Sequence, residues 1–253
     1  MATRRSLVEV PPYRVHSVEF GEGGTPLVLL HGLSGSARWW RHNVLELASE
    51  FRVLVPDVVG FGRTRCRGPL PDMAGFAEVI AGWMERLGLE PAHLVGHSMG
   101  GQIAAHLAAR HPGRVRRLVL VDAAGIPRPL SPRALVRFAA DVAPPSRWGD
   151  PRFVPVIVGD ALLTGPRTIV RALARILRDD VRAVLPRISV PTLVLWGEGD
   201  TVIPLEHARE LRGRIPNARL VVLRGAAHNP MVDRPAEFNR VVAAFLRGEE
   251  VGE

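Results

Sequence analysis

Ala92-His93-Leu94-Val95-Gly96-His97-Ser98-Met99-Gly100-Gly101-Gln102-Ile103-Ala104-Ala105-His106-Leu107-Ala108-Ala109-Arg110 is the stretch that decides the fold. Its first four residues read as a short buried strand. From Gly101 onward apolar residues recur at helical spacing. Between the two lies Gly96-His97-Ser98-Met99-Gly100. A side chain at either glycine would block so tight a reversal. The turn forces Ser98 into a strained conformation and lifts its hydroxyl above the sheet edge. The N-terminus of the following helix aims at the same point, where negative charge is tolerated. A pentad of this kind also arises by chance in glycine-rich chains. The strand–turn–helix setting is what makes Ser98 a candidate nucleophile and not an idle turn serine.

A serine hydroxyl is a poor nucleophile at neutral pH and needs a positioned base. That base is normally a histidine oriented by a carboxylate. The chain offers both near its end. Thr192-Leu193-Val194-Leu195-Trp196 reads as a strand followed by Gly197-Glu198-Gly199-Asp200. Leu220-Val221-Val222-Leu223 reads as the next, followed by Gly225-Ala226-Ala227-His228-Asn229-Pro230. In an open parallel sheet the loops bearing Asp200 and His228 share one edge with the Ser98 turn.

The order Ser, Asp, His is that of the α/β-hydrolase superfamily, and the chain resembles that superfamily over nearly its full length. The matching pieces are His31-Gly32-Leu33, Asp57-Val58-Val59-Gly60-Phe61-Gly62-Arg63-Thr64, the Ser98 turn, Val121-Asp122, Gly197-Glu198-Gly199-Asp200 and Gly225-Ala226-Ala227-His228. Each falls at an expected strand end. The resemblance implies a catalytic Ser98, Asp200 and His228. It also implies an oxyanion hole made by the backbone N–H groups of Leu33 and Met99. Asp122 rivals Asp200, because some members of the fold take their acid from the earlier strand end. The Gly-Glu-Gly-Asp pattern favours Asp200. His31 and Asp57 read as braces of their loops, and His97 as a packing residue. His16, His42, His93, His106, His111 and His207 have no motif around them.

The chain has 253 residues, enough for one α/β domain with an insert, and 47% of them are hydrophobic. That composition is globular. It contains no run long and apolar enough to span a bilayer. Met1–Glu9 lacks the apolar core of a secretory signal, so cytoplasmic residence is the default expectation. The single Cys66 has no partner for an internal disulfide. No metal-ligand cluster appears, and no Gly-x-Gly-x-x-Gly follows a strand. Neither a metal nor a cofactor is expected. All 33 basic residues are arginine, and the formal net charge is +8. Codon bias in a GC-rich genome explains that most simply. No nucleic-acid-binding module accompanies the arginines, and a homo-oligomer is left open.

Strands are expected near Arg14–Phe20, Leu27–Leu30, Arg52–Pro56, Ala92–Val95, Arg117–Val121, Thr192–Trp196 and Ala218–Leu223, with an early one near Ser6–Val10. Helices alternate with them. One starts after Asp72 as N-cap and one near Pro235. The fold expected is a doubly wound, mostly parallel sheet of about eight strands. Residues 1–124 and 188–253 form its core domain.

Residues 125–187 break the alternation and read as a helical cap over the active-site edge. One cap helix opens at Ser131-Pro132. Another runs from about Pro166 to Arg178, with Arg167, Arg171, Arg175 and Arg178 in one stripe and Ile169, Leu173, Ile176 and Leu177 on the apolar face. The cap carries 11 Arg against 5 Asp, so six of the eight net charges sit there. A solvated surface explains the stripe. The functional alternative is attraction of an acidic substrate or an anionic surface.

The chemistry expected is acyl transfer to water, by a carboxylesterase acting on esters or lactones. A carbon–carbon hydrolase of ring-cleavage products with the same three residues is the alternative. A receptor-like relative that binds ligand without rapid turnover is the third reading. Trp39 and Trp40 follow the oxyanion loop, and one of them is a candidate wall of the substrate pocket.

Overall fold

The computed structural model describes residues 3–66, 68–127 and 150–252. Its sheet has eight strands: β1 (Thr3–Val10), β2 (Tyr13–Phe20), β3 (Pro26–Leu30), β4 (Arg52–Pro56), β5 (Ala92–His97), β6 (Val115–Val121), β7 (Thr192–Gly197) and β8 (Ala218–Leu223). They lie in the order β1-β2-β4-β3-β5-β6-β7-β8. Strands β1, β2 and β4 pair antiparallel; every pairing from β4 through β8 is parallel. This is the expected doubly wound sheet. The expected strands are all present, and β5 runs on through Gly96 and His97 to the turn itself.

Strands β3 to β7 are nearly continuous apolar runs because both faces of the sheet are covered. One face is covered by α2 (Met73–Arg86), α3 (Met99–Arg110) and α6 (Leu205–Arg214), which bury Phe76, Ile80, Trp83, Ile103, Leu107 and Leu211. The other is covered by the short α1 (Val44–Leu47) and by α8 (Pro235–Arg247), with Trp40, Leu47, Phe238, Val242 and Phe245 in its core. Asp72 caps α2 as expected, its side chain accepting from the Gly75 N–H at 2.7 Å. That contact satisfies one of the donors a helix start leaves open.

Between β6 and β7 the described residues contain helices and no strand. The main ones are α4 (Val154–Thr164) and α5 (Pro166–Arg178), joined at Gly165. The helix expected at Ser131-Pro132 lies outside the described residues. A last short helix, α7 (Pro230–Asp233), follows the loop after β8. Because β3, β5, β6, β7 and β8 run parallel, the loops at their C-terminal ends converge at one edge. That edge holds Leu33, Ser98, Asp122, Asp200 and His228.

Candidate active site

Ser98 has φ 52° and ψ −116°, a conformation a serine rarely adopts. Such a backbone costs on the order of 1–3 kcal/mol and persists only where its surroundings fix it. Here the Ser98 N–H donates to the Val121 carbonyl at 2.9 Å. Its own carbonyl accepts from the N–H groups of Gly101, Gln102 and Ala124. The glycines have the reason the sequence implied. A Cβ on Gly96 would collide with the Gly100 carbonyl, and one on Gly100 with that of Leu30. A Cβ on Gly32 would lie 2.9 Å from His97 Nδ1 and 3.2 Å from the Ser98 Cβ, so the loop leading into Leu33 passes directly against the serine.

Ser98 Oγ is 3.2 Å from His228 Nε2, and His228 Nδ1 is 2.8 Å from Asp200 Oδ2. An ionised carboxylate only accepts, so Nδ1 carries the proton and Nε2 is left to accept from the hydroxyl. The other oxygen of Asp200 accepts from the N–H groups of Val202 and Ile203, at 2.7 and 2.9 Å. Burial opposes its charge. His228, the Ile203 N–H and a hydrogen bond with Asp122 outweigh that and hold the carboxyl below its ordinary value. Geometry therefore brings together the three residues named from the sequence. Met99 opens α3, where the first N–H groups have no acceptor within the helix. It sits beside Ser98, and Leu33 lines the same cavity.

Asp122 is the other carboxylate at this edge. It is fully buried, and Oδ1 accepts from the Gly197 N–H at 3.0 Å. Beside it lies Asp200, with which it shares a side-chain hydrogen bond when one of the two carries a proton. One ligand-type atom from each of Asp122, Asp200 and His228 falls within 4.8 Å of the others, spacing that a metal ion could use. The hydrogen bond between His228 and Asp200 already accounts for two of the three. Burial and the Asp200 charge push the Asp122 carboxyl well above its ordinary value. Of the two carboxyls the proton therefore favours Asp122, and Asp200, not Asp122, partners the imidazole.

The neighbouring histidines brace this arrangement. His97 is buried, and its Nε2 donates to the His228 carbonyl at 2.7 Å. Burial and the adjacent His228 lower its pKa to about 3, so it is neutral. His31 Nδ1 donates to the Gly32 carbonyl, and Nε2 accepts from the Val58 N–H at 3.0 Å. Asp57 accepts from the N–H groups of Ala37 and Arg63 and pairs with His16 at 3.0 Å. Both brace loops, as read from the sequence.

A cavity of about 400 Å³ opens onto Ser98 and His228. Leu33, Ile126, Ile157, Ile169, Leu173, Ile176, Leu177, Val202 and Ile203 give it apolar walls, and no Arg, Asp or Glu is among its described lining residues. Trp39 is part of that wall. Trp40 is not: it is fully buried, with its ring 6.2 Å from that of Phe238 beneath α8. Adjacent residues of the helical turn Ala37–Trp40 point different ways, so only one of the two tryptophans could reach the pocket.

Three features escaped the sequence reading. Asp160, on α4, is buried and accepts from the Trp39 Nε1–H at 3.1 Å and the Ser36 hydroxyl at 2.9 Å, and it pairs with Arg38. It ties α4 to the wall of the cavity. Its one visible signal was being the sole acid in the apolar run Val154–Leu163. Arg175 leaves the expected stripe, turning in to donate to the carbonyls of Leu70 and Pro71. His207, which carried no motif, lines the cavity.

The family model for the alpha/beta hydrolase fold matches residues 25–148 and 163–235. The chain belongs to that family and is a hydrolase. It is 32% identical to a 2-hydroxy-6-oxononadienedioate/2-hydroxy-6-oxononatrienedioate hydrolase of Burkholderia vietnamiensis, over 92% of this chain and 91% of the relative. It is 33% identical to the dihydrolipoyllysine-residue acetyltransferase component of an acetoin cleaving system of Pseudomonas putida, covering 90% of this chain but only 65% of that protein. Among solved structures, an enol-lactonase from Burkholderia xenovorans superposes with a TM-score of 0.81 at 27% identity, over 96% of this chain and all of that one.

Proposed function

We propose that the protein is a serine hydrolase of neutral carboxylic esters or lactones. The observation that carries this reading is the chain of contacts from Ser98 through His228 to Asp200, opening into an apolar cavity. His228 takes the hydroxyl proton as Ser98 Oγ attacks the carbonyl carbon. Asp200 holds the imidazole tautomer and stabilises the imidazolium. The N–H groups of Leu33 and Met99 receive the oxyanion. His228 then protonates the departing alkoxide, water attacks the acyl-enzyme, and Ser98 is released with its proton. Residues 125–187 act as a cap over the core formed by 1–124 and 188–253.

Carbon–carbon cleavage is the second reading. It is favoured by the relative whose name specifies a dioate hydrolase, a substrate with two carboxylates. Against it stands the lining of this cavity, which among the described residues presents no arginine to a carboxylate. The lactonase neighbour and the apolar walls both favour the neutral carbonyl substrate.

The test is turnover of p-nitrophenyl esters of graded acyl length, with Ser98→Ala alongside. Expected is wild-type turnover that Ser98→Ala lowers by about 10⁴-fold or more, together with fluorophosphonate labelling that the substitution removes. Labelling without ester or lactone turnover would shift the reading to carbon–carbon substrates. Neither labelling nor turnover would remove the catalytic reading.

A further inference from the structure

Among the described residues, six large apolar side chains are exposed, and four belong to α4 and α5. They are Val158, Leu162, Leu163 and Val170, with Leu162 77% exposed and Leu163 61%. The two leucines lie in the last turn of α4, just before the bend at Gly165. Arg167, Arg171 and Arg178 lie on the outward side of α5, all exposed, and none forms an ion pair with a described residue. The only acid from Val154 to Arg178 is Asp160, which is buried. The inner sides of the same helices line the cavity with Ile157, Ile169 and Leu173.

An apolar edge flanked by cations unpaired among the described residues, with no exposed acid from Val154 to Arg178, fits a surface that is both apolar and anionic. We propose that the bend of the α4–α5 pair docks on an anionic lipid surface. Leu162 and Leu163 enter the interface between headgroups and acyl chains, and Arg167 and Arg171 meet the lipid phosphates. The helices lie on the bilayer and do not span it. No single helix among the described residues is long and apolar enough, and the pair turns by 100° at its break. A second copy of the chain is a poorer occupant, because a symmetric contact would set one arginine cluster against another. The docking does not depend on the hydrolytic reading, although it would bring the cavity wall to a lipid surface.

The experiment is flotation of the full chain with two kinds of vesicle, one of phosphatidylcholine alone and one with about a third phosphatidylglycerol. Expected is binding to the anionic vesicles, little binding to the neutral ones, and release by salt. Arg167→Gln with Arg171→Gln should weaken binding by about thirty-fold. Leu162→Glu with Leu163→Glu should weaken it at least as much. Both double variants change exposed residues away from Ser98, so melting temperature and turnover of a soluble p-nitrophenyl ester should hold. Absence of binding to anionic vesicles, or equal binding to both kinds, would overturn the proposal. So would full binding by either variant. Light scattering that shows a dimer lost on Leu162→Glu with Leu163→Glu, without vesicle binding, would assign the edge to a second copy instead.

Discussion

The C-terminal edge of the sheet and the helical pair α4–α5 differ in how their polar groups are used. At the sheet edge, buried polar groups are tied to fixed partners: Ser98 to Val121, Asp200 to Val202 and Ile203, His97 to the His228 carbonyl. In the helical pair, apolar side chains form the cavity wall and exposed arginines face away from it. Asp160 joins the two regions by receiving hydrogen bonds from the loop that follows Leu33. Rigidity belongs where charge must be placed. An apolar wall only has to exclude water and fit a chain, and that needs shape without directional bonds.

The largest expected effect separates the two carboxylates of the sheet edge. Asp200→Asn removes the acceptor that fixes the His228 tautomer, and kcat should fall by about 10⁴-fold. Asp122 does not hydrogen-bond the imidazole, and Asn keeps its shape and the oxygen that accepts from the Gly197 N–H, so kcat/KM should stay within about threefold. A large loss for Asp122→Asn with a small one for Asp200→Asn would exchange their roles.

A smaller effect is expected where the regions meet. Asp160→Ala leaves the Trp39 indole N–H and the Ser36 hydroxyl without an acceptor, at a cost of about 1–3 kcal/mol. The melting temperature should drop. Because Trp39 forms part of the cavity wall, kcat/KM for the preferred acyl length should fall by about tenfold, with less loss for short esters. Equal loss across all acyl lengths would mean that Asp160 supports the fold and not the wall.

The smallest effect concerns the sheet beneath the site. His93 is buried on β5, and burial together with Arg116 and Arg117 lowers its pKa to about 4. Its unfolded value is near ~6.5, so the unfolded chain binds more protons between these limits. The stabilisation is complete above that range and is lost as pH falls toward 4. His93→Leu should flatten the loss by up to about 1.4 kcal/mol per pH unit in denaturant titrations. An unchanged slope would show that His93 already carries a proton in the folded protein.

The fold was legible because its signals are local. Strand runs bounded by glycine, the turn at Ser98 and the acid and histidine after β7 and β8 each follow from a few neighbouring residues. The polar partners Asp160 and Arg175 were not legible, because their contacts lie 121 and 105 residues away in the chain. Which of Trp39 and Trp40 lines the cavity was not legible for a related reason. Two adjacent tryptophans look alike in sequence, and only packing against Phe238 sends one into the core.

The sequence by itself determined the parallel sheet and the turn at Ser98, since these depend on backbone sterics and local pattern, and through the family resemblance it pointed to Ser98, His228 and, ahead of Asp122, Asp200. Tertiary structure alone decided which of Asp122 and Asp200 partners His228. Both are acids at neighbouring strand ends, and the difference lies in solvation and in the donors around them. It likewise decided that the α5 arginines stay outside the cavity. Helical periodicity puts them on one side of the helix, but only the packing of that helix on the domain shows which side faces the site.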